Sequence, residues 1–439
     1  MPASRGTLPL IERFKRAVRN RDAGELRGML PWRDELRSAV NEPLFAFDSP
    51  ALVTVAGSGD VGLIDALLDL GADPNRRSAW WAGGFHPLYS AFGDVAERLL
   101  AAGGIPDACA AAHLDRADLL ASMLAADRSL AHERGGDGQT PLHFARSRSV
   151  VDLLLDAGAD PDALDVDHRS TPAQWMLGGA GDPNTSRSAI ARYLVERGAR
   201  ADIFLAAALG LTERARAMLQ SNATQLDLRT GRGDYGEQPP SSYHIYFWTI
   251  GANLTPLQTA ARFRQDETLA VMRQFASAEQ RLLLACHDGS SRDARAIVES
   301  EPGIVQRLGV DDRRALTDEA WAANAPAVEL MLELGFDPSV VSVSGPTGGT
   351  ALHCAAWEGS VECIAALLRY PAGRSLVHTP DATYHGTPLG WCCHGSLHCG
   401  RPQANHAEVA RLLVAAGARP TAGMAAASDA VREVIDAFS

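Results

Sequence analysis

A short phrase recurs along this chain and constrains its fold more than any other feature. It opens on a Thr-Pro-Leu-like start: Thr140-Pro141-Leu142-His143, Thr171-Pro172-Ala173, Thr255-Pro256-Leu257, Thr350-Ala351-Leu352-His353 and Thr387-Pro388-Leu389, with His86-Pro87-Leu88 as a variant. It closes on Gly71-Ala72-Asp73-Pro74-Asn75 and Gly158-Ala159-Asp160-Pro161, with weaker endings at Gly198-Ala199, Gly335-Phe336-Asp337 and Gly417-Ala418. Each residue type has a physical role. A threonine such as Thr140 or Thr387 caps a helix, and the proline after it fits the first turn, where no N–H is needed. Paired small residues such as Ala355-Ala356 let two helices approach closely. Leu153 to Leu155, or Leu412 and Leu413, offer an apolar face to the next unit. Gly158 or Gly417 takes the positive φ that ends a second helix. One such unit cannot bury its own face, so stability is a nearest-neighbour sum along a stack.

This phrase resembles the ankyrin repeat, a 33-residue unit of a turn and two antiparallel helices. The run Thr-Ala-Leu-His-Cys-Ala-Ala-Trp-Glu-Gly from Thr350 follows the family pattern throughout. The resemblance implies an all-α solenoid of roughly eleven units. It divides the chain into an N-terminal cap and degenerate first repeat (1–40), N-terminal repeats (41–226), an extended hairpin-like finger (227–254), C-terminal repeats (255–420) and a capping helix (421–439). The helical caps fall near Leu10 to Leu30 and Ser428 to Phe438.

Composition narrows the function. The 439 residues carry a net charge of −12, which argues against general binding to nucleic acid or anionic membrane, because both need a basic footprint. The longest stretch free of Asp, Glu, Lys and Arg, Gln238 to Ala261, contains Pro239, Pro240, Gly251 and Pro256 and makes a poor membrane span. No apolar run near the N-terminus suits a signal peptide. Seven cysteines, clustered late, fit reduced thiols better than a disulfide framework. The expectation is a cytoplasmic monomer without a cofactor. Lys15 is the single lysine among 41 basic residues, a bias of genome composition.

Departures from the repeat mark where this chain differs from a plain scaffold. Asp227 to Leu254 lengthens one finger, with a bend at Gly231, Gly233, Gly236, Pro239 and Pro240 and then Tyr243-His244-Ile245-Tyr246-Phe247-Trp248. The aromatic and β-branched content predicts a hairpin arm. Two helix-to-helix loops, Gly178 to Ser186 and Gly395 to Asn405, are extended as well.

Aligning the repeats places two residues after each small pair on the open side of the first helix. In the first half these pairs are Gly57-Ser58, His113-Leu114, Ser147-Arg148, Gly178-Gly179 and Ala208-Leu209. In the second half they are Arg262-Phe263, His287-Asp288, Trp321-Ala322, Trp357-Glu358 and His394-Gly395. The second set is large, aromatic and ionisable. Exposed aromatics and arginine are enriched in binding hot spots. The expected binding residues are Tyr243, His244, Tyr246, Trp248, Arg262, His287, Trp321, Trp357, Glu358 and His394, taking a protein or peptide on the concave face. The alternative is an enzyme or receptor for a sugar or other small polar ligand, with His287, Asp288, Glu358 and His394 as acid–base groups. Cys392, Cys393, His394, His398, Cys399 and His406, with His385 upstream, have zinc-ligand chemistry but no familiar spacing, and Cys392 and Cys393 occupy the small pair. No metal is expected there. Glu319 falls at a normally buried small position, where Arg313 or Arg314 is a candidate partner.

Overall fold

A computed structural model describes residues 9–178, 187–231, 243–251, 253–342, 348–420, 424 and 427–437. Among these the regular structure is helical, with one isolated bridge between Phe45 and Ser49 and no strand. No helix among them is long and apolar enough to cross a membrane.

The repeated phrase builds the helix starts it predicts. Thr171 accepts from the Gln174 N–H at 3.4 Å while the Gln174 side chain accepts from the Thr171 N–H at 2.9 Å. Thr255 and Gln258 form the same reciprocal box. At Thr140 and Thr350 a histidine takes the reciprocal position. His143 Nδ1 accepts from the Thr140 N–H at 3.0 Å, and its Nε2 lies 3.1 Å from the Ser170 carbonyl in the next turn. His353 bridges Thr350 and Gly386 in the same way. Burial pushes His143 down to about 3, so it is a neutral structural strut at neutral pH. Gly158 and Gly417, at φ +99° and +105°, end their helices as expected.

The chain forms two compact units. The first comprises Met1–Leu205 with Arg232–Ile250, and the second Ala206–Gly231 with Gly251–Ser439. In the first unit Leu154 is fully buried. The aromatic run, expected as a hairpin arm, is helical instead: a 3-10 turn at Tyr243–Ile245 leads into Tyr246–Thr249. The cause is burial. Tyr246 is wholly enclosed and donates its hydroxyl to the buried Asp202 at 2.7 Å, and Gln174 donates to the same oxygen at 3.1 Å. Residues 232–242, the expected bend, lie outside the described residues, as do 179–186 of the first extended loop.

In the second unit, first and second helices alternate: Pro256–Arg262 and Asp266–Arg273, Ala278–His287 and Ser291–Ser300, Ala315–Trp321 and Ala325–Glu333, Ala351–Trp357 and Val361–Arg369, Pro388–His398 and His406–Ala415, then Asp429–Ala437. From Ala278–His287 onward their facing sides share one core that includes Leu282, Leu316, Leu352, Leu389 and Leu413. Leu412, predicted to face an interface, is half-buried, and Leu413 is the fully enclosed residue. The ends of the long insertion are joined at its base: the Thr230 N–H donates to the Leu254 carbonyl at 3.0 Å, and the Asn253 N–H donates to the Thr230 carbonyl at 3.2 Å.

Candidate functional site

The site is built where first helices end. Arg262, His287, Trp321 and Trp357 are the last residues of four successive first helices in the second unit. The small residues before them, such as Ala260, Cys286, Ala320 and Ala356, are buried against neighbouring helices. The next residue then emerges at the helix end. Arg262 and His394 are exposed, whereas His287, Trp321 and Trp357 are half-buried. The two tryptophans are therefore not free surface anchors. Each has one face in the packing.

Trp321 and Trp357 lie nearly parallel, with centroids 6.2 Å apart and 18° between planes. Trp357 also meets Trp391 edge-on at 6.2 Å and 75°, and the His394 ring at 5.2 Å. Beside them opens a cavity of about 470 Å³ lined by Trp357, Tyr384, Trp391, His394, Gly386 and Gly390. Trp391 is fixed by its indole N–H, which donates to the buried Asp381 at 2.9 Å. Trp357 is fixed through its backbone, because its carbonyl lies 2.8 Å from His406 Nε2. This close approach needs Gly395: a Cβ there would stand 2.3 Å from the Trp357 carbonyl oxygen. Sequence alignment did not single out Tyr384 or Trp391. Trp391 sits directly before the small pair Cys392-Cys393, and that adjacency was the available signal.

The four acid–base candidates each meet different partners. His287 Nδ1 pairs with Glu319 Oε1 at 2.7 Å, and the other Glu319 oxygen accepts from Asn324 Nδ2 at 2.7 Å. Asn324 also donates to the His287 carbonyl at 2.9 Å. Glu319 thus takes a histidine, not Arg313 or Arg314, into the position a small residue would fill. Burial pulls the His287 imidazolium down, but the Glu319 hydrogen bond and charge, with Asp288, outweigh it and leave it raised. Asp288 instead faces Arg273 at 3.9 Å. Glu358 accepts from the Cys399 thiol at 3.7 Å, and burial raises its carboxyl. Among the described residues no hydrogen bond is recorded that links His287, Asp288, Glu358 and His394 to one another.

The cysteine–histidine run is mostly packing. Cys392 and Cys393 are buried free thiols, and Cys392 donates to the His406 carbonyl at 3.2 Å. The His394 and His398 rings lie tilted at 42°, with centroids 4.3 Å apart. The aromatic run belongs to the first unit. Tyr243 and Tyr246 pack on Phe204, and His244 approaches His168 at 6.0 Å. Tyr246 is core, and Trp248 is 65% exposed.

Two of the aligned pairs in the first half are corrected. Ser147 caps the helix Arg148–Asp156, accepting from the Val150 N–H, so Ser147-Arg148 begins a second helix. Ala208 and Leu209 are buried.

The ankyrin-repeat family model matches residues 137–166 and 347–378, one stretch in each unit. No curated protein matches the chain. Among solved structures, the crystal structure of the ankyrin repeat domain of Bcl-3, described as a unique member of the IkappaB protein family, matches at 20% identity with a TM-score of 0.31. The match covers 54% of this chain and 97% of that one.

Proposed function

The chain is an ankyrin-repeat protein, and on that premise we propose that it is a recognition protein binding a protein or peptide partner on the concave face of its second unit. Stacked repeats serve widely as binding surfaces of this kind. The observation that carries the reading is the parallel Trp321–Trp357 pair, of which Trp357 walls a cavity together with Trp391 and Tyr384. Aromatic walls held by a buried carboxylate and a backbone contact are pre-organised, which lowers the entropic cost of association. An apolar or aromatic side chain of the partner occupies the cavity. His394 gives the cavity wall a polar group.

The test is quantitative capture with the full-length protein, followed by calorimetry on whichever partner is retained. Tyr384→Ala removes one wall from a residue 68% exposed, so the core is undisturbed. It should weaken binding by about 1 kcal/mol or more. Equal retention of every captured protein by Tyr384→Ala and Trp357→Ala would refute this placement.

A second reading, a small polar ligand handled by acid–base chemistry, draws on the His287–Glu319–Asn324 chain. A histidine held on one nitrogen by an oriented carboxylate presents its other nitrogen in a fixed tautomer. Native mass spectrometry of gently purified protein would then show a bound small molecule that His287→Gln releases. An unliganded mass in both proteins counts against this second reading.

A further inference from the structure

In the first unit, outside the site above, two consecutive turns bring metal-ligating side chains together. The first turn is Gly136–Gly138, just before the Thr140 start, with Asp137 at φ +56°. The second precedes the Thr171 start and carries Asp165, Asp167 and His168. The backbone joins them: the Val166 and Asp167 N–H groups donate to the Asp137 carbonyl at 2.9 and 3.2 Å. One ligand atom from each of Asp137, Asp167 and His168 then lies within 4.8 Å of the others.

We propose that Asp137, Asp167 and His168 form a divalent-metal site that clasps these two turns, with zinc as the cation. Two observations besides proximity support it. His168 Nδ1 is buried and has no hydrogen-bond partner, although the ring as a whole retains 15% exposure. It stands 3.5 Å from Asp167 Oδ2, too far for a hydrogen bond but suited to a shared ion. A buried ring nitrogen left without a hydrogen-bond partner is costly unless something occupies it. The second observation is orientation. The Trp80 indole N–H donates to Asp137 Oδ1 at 3.0 Å, leaving the other oxygen of that carboxylate for a ligand. Asp165 accepts from the His168 N–H at 2.7 Å and from the Trp175 indole, so it positions the turn and is not itself a ligand. Such supporting contacts are what hold metal ligands in place.

An imidazole with two carboxylates suits zinc, whereas calcium and magnesium favour oxygen donors alone. Three protein ligands leave a position for water.

The test uses the full chain after chelation, titrated with zinc and separately with cobalt. Asp137→Asn is the primary variant, because asparagine tolerates positive φ and keeps an acceptor for Trp80. His168→Gln is the second. The wild type should bind one more equivalent of zinc than either variant, or bind it at least ~10-fold more tightly, and zinc should raise its thermal midpoint more than theirs. Cobalt in this site should lack thiolate charge-transfer absorption, and Cys399→Ser should bind as the wild type does. Equal stoichiometry, affinity and thermal shift in wild type and both variants would overturn the proposal. So would a cobalt spectrum dominated by thiolate bands that vanish in Cys399→Ser.

Discussion

The two units use the first helix of the repeat differently. In the first unit it can stop after one turn, as in Pro141–Phe144 and Pro172–Trp175. In the second it continues to Arg262, His287, Trp321 and Trp357, and the last of the series runs to His398. The first of the short helices has a visible cause: the chain turns away at Ala145 with ψ 134°, and Arg187 donates to the carbonyls of His143 and Ala145 left there. Even the longer Ala108–His113 presents no free anchor, since His113 lies against the Ala91 carbonyl and burial pushes it down to about 4. Polar and aromatic chemistry in the first unit gathers instead in the turns, where Phe47 meets Trp80 and Phe85 edge-on. One repeat thus yields two kinds of surface: an extra helical turn places anchors in a column, and a decorated turn places them at the fingers.

The largest effects should be the ones the units share. Leu154→Ala and Leu413→Ala each remove a fully buried side chain and should cost about 2–5 kcal/mol in urea unfolding. A cost below about 0.5 kcal/mol at either would mean that the packing of that unit differs from the repeat. Gly395→Ala is smaller and specific to the second unit. Its Cβ would press on the Trp357 carbonyl and the His406 ring, so about 1–3 kcal/mol is expected. Unchanged unfolding would contradict that close approach.

Smaller still are two pH windows of the same sign, one in each unit. In the metal-free protein burial and the neighbouring carboxylates push Asp137 up to about 7, against 3.8 ordinarily. Its linked stability is therefore full below 3.8 and is lost as pH rises toward 7. Asp137→Asn should flatten that part of the first unit's profile of thermal midpoint against pH. His287 is raised above the ordinary imidazole value by Glu319. Its contribution is present below 6.5 and disappears as pH climbs through the raised value. Glu319→Gln should lower the His287 titration measured by NMR, and an unmoved titration would remove the pair from the account.

The helix starts were legible because their signals are local. Thr171 and Gln174, or Thr350 and His353, are three residues apart and need nothing else to form a cap. The Trp321–Trp357 pair was legible because equivalent positions in adjacent repeats become neighbours. Glu319 was harder, since its partner His287 lies 32 residues earlier and no local pattern joins them. The aromatic run misled for a related reason. Its composition favours a strand, but Tyr246 finds Asp202, 44 residues away, and burial there decides the conformation. Ser147 was misplaced because the alignment assumed a full-length first helix, which Ala145 ends early.

The sharpest test sets one exposed aromatic of each unit against the same partner. Trp357→Ala in the second unit and Trp81→Ala, 67% exposed in the first, should be titrated by calorimetry with circular dichroism confirming that both remain folded. The account predicts that Trp357→Ala loses about 2 kcal/mol or more of binding free energy, ~30-fold in Kd, while Trp81→Ala loses less than about 0.5 kcal/mol. Full affinity in Trp357→Ala, or the larger loss in Trp81→Ala, would contradict the assignment of recognition to the second unit's helix ends.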